Sequence, residues 1–151
     1  MLNETLTAFY ERDLRKLIDE INLFENEADL WRTAGTISNP AGNLVLHLTG
    51  GMNHHIGYTL GHTGYVRDRS LEFSQKNVSR EQLVAGVETL IQVIRQSLAA
   101  LTPQQLEGEF PSFFDQPGTS TAYVLIQLLA HLNYHLGQVN YLRRMLGSTN
   151  A

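Results

Sequence analysis

Leu44, Leu48, Met52, Ile56 and Leu60 fall at every fourth position between Asn39-Pro40 and Gly61. Successive members lie about 40° apart around an α-helix, so the five draw one apolar stripe along some 20 residues. Three other stretches carry a comparable stripe. Leu2, Leu6, Phe9, Leu14, Leu17, Ile18 and Ile21 mark a helix from Leu2 to about Asn22. Ser79, with Gln82 three residues on, reads as a capping box opening a helix whose apolar face is Leu83, Val87, Leu90, Ile91, Ile94 and Leu98. The last helix runs from about Ser120 to Leu146, with Gly147 as its stop. The second should start at Pro40, capped by Asn39, and reach about Leu60. A single helical turn is expected around Leu30–Trp31 and a short one capped by Thr102-Pro103.

No stretch alternates for long enough to make a useful strand. The chain therefore predicts an all-α four-helix bundle. The segments "GHTGYVRDRSLEFSQKN" (61–77) and "EGEFPSFFDQPGTS" (107–120) are too long for tight hairpins and read as connections without helical period. Long connections let sequential helices run parallel, so periodicity alone leaves the helix order open.

With 151 residues the chain is expected to be one domain, 1–151, with enough buried surface to need no staple. It contains no cysteine, which removes disulfides, thiolate metal sites and a cysteine nucleophile. The N-terminus mixes charge into its apolar residues, unlike a signal peptide, and the longest apolar run, Tyr123 to Leu132, is too short to span a bilayer. A soluble, cytoplasmic protein is the expectation, with no membrane partner. Net charge is −4, and the basic clusters, Arg67-Asp68-Arg69 and Arg143-Arg144, are too small for a nucleic-acid footprint.

"LLAHLNYHLGQVNYLRRML" (128–146) carries the chemistry. His131 and His135 are separated by about 40° of helix and about 6 Å of rise, so their rings can converge on one point. That is how an i, i+4 histidine pair grips zinc or a similar ion. Leu128, Leu132, Leu136, Val139 and Leu142 flank this stripe, so it faces the core; Gln138 shares it and Tyr134 lies somewhat off it. Two such histidines alone are more often ordinary core or edge residues. A third ligand changes the balance, and the second helix offers His47 and His54 on one stripe with Gly51 and Tyr58. Being about 10.5 Å apart in rise, His47 and His54 cannot easily share an ion, and spacing does not choose between them. Three imidazoles with no thiolate suit zinc, nickel or another late divalent metal and leave a coordination position open.

"HLTGGMNHHIGYTLG" (47–61), "RDRSLEF" (67–73) and "HLNYHLGQVNYL" (131–142), in that order and spacing, resemble the DinB-like superfamily of metalloenzymes. The match is closest to its uncharacterised branch with an Arg-Asp-Arg crossover motif, and it covers most of the chain. The resemblance implies an up-down-down-up bundle with a long crossover between helices two and three. It implies zinc or nickel held by His47, which begins the "HLxG" motif, and by His131 and His135 of "HxxxHxGQ". It also implies thiol-dependent transferase or isomerase chemistry using a low-molecular-weight thiol such as bacillithiol or mycothiol. Many relatives have Asn where this chain has Gly51, which puts one source of support for His47 in doubt.

Other residues carry weaker signals. Arg67 and Arg69, with Asp68 and Glu72, suit an acidic substrate or thiol, but local charge pairing that pins the crossover explains them more simply. Gln138 is placed to bond a ligand histidine, and Tyr58 and Tyr134 to reach substrate. His54, His55 and His62 read as rim or surface residues. The leading functional reading is a metal-dependent small-molecule transferase; the competitors are a non-catalytic binding bundle and a metal-dependent hydrolase. A homodimer is expected, since two-fold dimers are the commonest assemblies.

Overall fold

The computed structural model describes residues 1–111 and 116–148. Four long helices make the bundle: α1 (Leu2–Leu23), α2 (Ala41–Met52), α4 (Arg80–Ala99) and α6 (Thr121–Ser148). Two short ones, α3 (Arg69–Ser74) and α5 (Pro103–Glu107), lie in the connections. A 3-10 turn at Glu27–Trp31 occupies the expected place before α2. No strand is present among the described residues; Glu109 and Ser120 form one isolated bridge that ties the ends of the second connection, whose residues 112–115 lie outside the described ones.

The helix starts follow their caps. Ser79 Oγ accepts the Gln82 amide at 3.2 Å while the Gln82 side chain accepts the Ser79 amide at 3.4 Å. Ser120 Oγ accepts the Tyr123 amide at 3.1 Å at the head of α6. Helix α2 starts one residue later than expected, with Pro40 itself in the cap position.

Contacts between helices give their directions. Asn3 reaches the Leu98 carbonyl, Glu11 pairs with Arg95, and Arg80 bonds the Ile21 carbonyl, so α1 and α4 are antiparallel. Tyr10 donates to the Leu125 carbonyl, Asn133 to Asp13 and Asn140 to Glu20, so α1 and α6 are parallel. Gly57 packs by Val93 and Gly61 by Ser97, so the segment that continues α2 beyond Met52 runs with α4. The order is up-down-down-up. One apolar cluster runs through all four long helices, with Leu14, Leu17, Leu48, Ile56, Leu90, Ile94, Leu132 and Val139 among its members. Burying each such side chain contributes roughly 1.5–3 kcal/mol. No helix among the described residues is long and apolar enough to cross a membrane.

Two expectations are corrected. Segment 61–77 is not irregular throughout, because Asp68 caps α3 by accepting the Leu71 amide at 3.0 Å. Nor is the second helix regular to its end, because Asn53–Tyr58 winds as a π-helix, with the Thr59 amide bonded to the His54 carbonyl and the Gly61 amide to that of Ile56. The wider turn delays the rotation, so His55, Ile56 and Gly57 are buried while Tyr58 is half exposed. The stripe that would have aligned His54 and Tyr58 with His47 is broken there.

Candidate metal centre

His47 projects from the second turn of α2, and His131 and His135 from the middle of α6, into the space between these antiparallel helices. Their ligand nitrogens all lie within 4.8 Å of one another. His131 Nε2 stands 3.4 Å from His47 Nε2 and 3.0 Å from His135 Nε2. A tetrahedral ion with nitrogens at about 2.0–2.1 Å sets its donor atoms roughly 3.3 Å apart, so these two separations fit one.

The outer nitrogens explain why the inner ones converge. His47 Nδ1 is 3.1 Å from Glu72 Oε1, and His135 Nδ1 is 2.6 Å from Gln138 Oε1. Both oxygens accept, so each imidazole carries its proton on Nδ1 and turns the Nε2 lone pair inward. This is the support that metal-ligating histidines ordinarily have. Among the described residues, His47, His131 and His135 are the group of histidines and acids arranged to hold a metal ion.

Glu72 is supplied by α3 and is nearly buried. Arg67 grips it with both arms, Nε to Oε2 at 2.8 Å and a terminal nitrogen to Oε1 at 2.9 Å. The carboxylate can approach α2 because position 50 is glycine: a Cβ there would sit 2.1 Å from Glu72 Oε2. Asn43 of α2 holds the far end of α3, donating to the carbonyls of Glu72 and Gln75 at 2.9 Å each. A Cβ at Gly51 would meet the Arg67 guanidinium at 3.4 Å, so a larger residue here would bear on Arg67 and not on His47 directly. The Phe73 ring packs on His47 with centroids 4.8 Å apart.

Burial favours the neutral form of His47 and His131. His131 is pushed down to about 4, first by burial and then by the charges of His135, His47 and Arg67. His47 is also lowered, chiefly by burial, against an upward pull from Glu72. Neutral imidazole is the form that binds a metal.

Among the other residues singled out in the sequence, Gln138 bonds His135 as described. Arg67 is tied to Glu72, the pairing that pins the crossover. Arg69 lies over the Phe73 ring at 5.4 Å. His54 does not join the cluster; it stacks on Tyr58, with ring centroids 5.6 Å apart. Tyr58 and Tyr134 are 50% and 67% exposed, and Tyr134 meets His135 only through ring edges. The sequence reading missed the link from Glu72 to His47, the packing of Phe73 on His47, and the burial of His55. Asp68 four residues before Glu72 was a usable helix-start signal, overlooked because the segment lacks apolar period. The π-turn that buries His55 left no signal.

The whole chain, residues 2–151, matches the family described as "Protein of unknown function (DUF1572)". The chain belongs to that family. No curated protein matches it. The fold is also that of a solved structure, described as the "conserved protein of locus from Enterococcus faecalis": the TM-score is 0.75 over 93% of this chain and 94% of that one, at 13% identity. At that identity the likeness concerns the fold.

Proposed function

We propose that the protein is a metal-dependent enzyme of the DinB-like type, a small-molecule transferase that uses a low-molecular-weight thiol. The observation that carries this reading is the inward convergence of three imidazole nitrogens whose outer nitrogens are engaged by Glu72 and Gln138. The donor set is all imidazole, which suits zinc or nickel. An ion there, held by three protein ligands, supplies an open position where a thiol is bound and its pKa lowered. His47, His131 and His135 would hold it; Glu72 and Gln138 orient the rings of His47 and His135, and Arg67 holds the Glu72 carboxylate in place. Leu48, Met52 and Leu128 line the cavity beside His47 and His131 and limit water.

Elemental analysis of the purified protein, followed by assay of thiol-dependent turnover on a panel of electrophiles, tests this. Stoichiometric metal and turnover lost on chelation are expected. Ligand binding without turnover would indicate a binding bundle, and turnover without thiol a hydrolase; either result overturns the transferase reading.

A further inference from the structure

We propose that Arg69 anchors the carboxylate of a small acidic substrate whose other end reaches the histidine cluster. The inference rests on the metal reading above and adds the class of molecule that binds there.

A cavity of about 160 Å³ lies between α2, the crossover and α6. His47 and His131 form one side, Leu48, Met52 and Leu128 an apolar side, and Arg67 and Arg69 close it. Among the described residues no carboxylate lines it. The charge of Arg67 is already balanced by Glu72, which takes its Nε and one terminal nitrogen. Arg69 differs: among the described residues it has no ion pair, and its guanidinium rests on Phe73. Phe73 in turn packs on His47. One positive group is thus held at the cavity, against the same ring that packs on His47.

An arginine braced on an aromatic face loses little freedom on binding and forms two parallel hydrogen bonds to a carboxylate. Neutral histidines add no anion to oppose it, and a divalent cation among them would add attraction. The space is enough for a body of a few carbons. The apolar side suits methylenes between the two polar ends.

Cobalt(II)-loaded full-length protein tests this, with 3-mercaptopropionate and the neutral 3-mercaptopropionamide as probes. Thiolate-to-cobalt absorption reports each affinity, and comparing the ratio between proteins cancels the different acidities of the two thiols. The acid is expected to bind at least tenfold tighter than the amide in the native protein, with that preference gone in Arg69→Gln and cobalt affinity unaltered. Equal binding of acid and amide, or a preference that survives in Arg69→Gln, overturns the anchor and leaves the metal reading standing. Failure of cobalt to bind overturns both.

A separate observation concerns the outside of α6. We infer that this face is the contact surface for a second copy of the chain. Tyr123, Ile126, Tyr134, Tyr141 and Met145 are 45–67% exposed and, with Ala130 and Gly137, recur at spacings of three or four residues along one stripe. This is the spacing of a helix–helix seam. It lies on the side of α6 opposite Leu125, Leu128, Leu132, Val139 and Leu142, so α6 is apolar on two faces. Among the described residues Arg144, over the Tyr141 ring at 5.5 Å, is the one cation beside the seam, and Tyr134 sits at its midpoint, where a two-fold axis would pair like with like. Covering the five large side chains would remove roughly 500 Å² per copy, about 1,000 Å² in all, the lower bound for a specific interface. Sedimentation velocity of the full chain should give twice the chain mass, and Tyr134→Glu, at a site 67% exposed, should give the monomer with unchanged helicity. A monomeric native protein at high micromolar concentration, or a dimer that persists in both Tyr134→Glu and Tyr141→Glu, overturns the inference.

Discussion

Glu72 Oε1 accepts both the Nδ1 proton of His47, at 3.1 Å, and one arm of Arg67, at 2.9 Å. The orientation of an imidazole in α2 is therefore set from the crossover, by a residue 25 positions later. Glu72→Ala frees the ring to rotate and leaves Arg67 without its partner. Zinc affinity, measured by competition with a chromophoric chelator, should fall 10–100-fold. Native affinity in a folded Glu72→Ala protein would sink the positioning role.

Gly50→Ala makes the same point from the opposite side. Alanine is the better helix former by about 1 kcal/mol, so propensity alone predicts a stabilised α2. Its Cβ, however, would stand 2.1 Å from Glu72 Oε2 and must push the carboxylate away from His47 and Arg67. Metal affinity should therefore drop towards that of Glu72→Ala. An unchanged affinity with a raised melting temperature would show that the carboxylate relocates without cost.

The two histidines of the second helix should behave differently. His47→Ala removes one of three converging nitrogens and should cost at least the 10–100-fold expected for a supporting residue. His54 stacks on Tyr58 outside the cluster, so His54→Ala should bind zinc or nickel nearly as the native protein does. Titration of metal into both stripped variants compares them, and a greater loss in His54→Ala would refute the cluster as drawn here.

Stability without metal should fall between pH 6.5 and 4. Burial pushes His55 and His131 down to about 4, while both return to the ordinary 6.5 in the unfolded chain. In that window the unfolded chain holds more protons than the native one, so stability rises with pH and is complete above 6.5. Allowing for partial solvent screening, the two together amount to about 2 kcal/mol, or 4–8 °C in melting temperature. Thermal melts with chelator present, repeated on His55→Gln, should show the slope reduced in the variant. A flat profile in the native protein would contradict it.

The bundle was legible because its evidence is periodic: the stripes of α1, α2, α4 and α6 each repeat over several turns, and the capping pair Ser79 and Gln82 is local. The histidine pair of α6 was legible for the same reason, since i, i+4 spacing alone brings His131 and His135 together. The placement of His47 beside them depends on how far α2 slides along α6, which spacing does not contain. The role of Glu72 was hidden more deeply. It depends on a six-residue helix with no apolar repeat, on its attachment through Asn43, and on the missing side chain of Gly50. Likewise the π-turn exchanges His54 for His55 in the interior through backbone winding, which a helical wheel drawn at constant pitch cannot represent.

His47 and His131 are 84 residues apart in the chain yet face each other at 3.4 Å. In the unfolded polypeptide only His131 and His135 remain neighbours, and recruiting His47 would mean closing a long flexible loop. For a loop of that length the entropic cost is about 4.5 kcal/mol, more than three decades in equilibrium constant. The fold meets that cost before any ion arrives. An ion that needs all three imidazoles would therefore discriminate the native chain from its denatured form about a thousandfold or better, and its dissociation would time the undocking of α6 from α2.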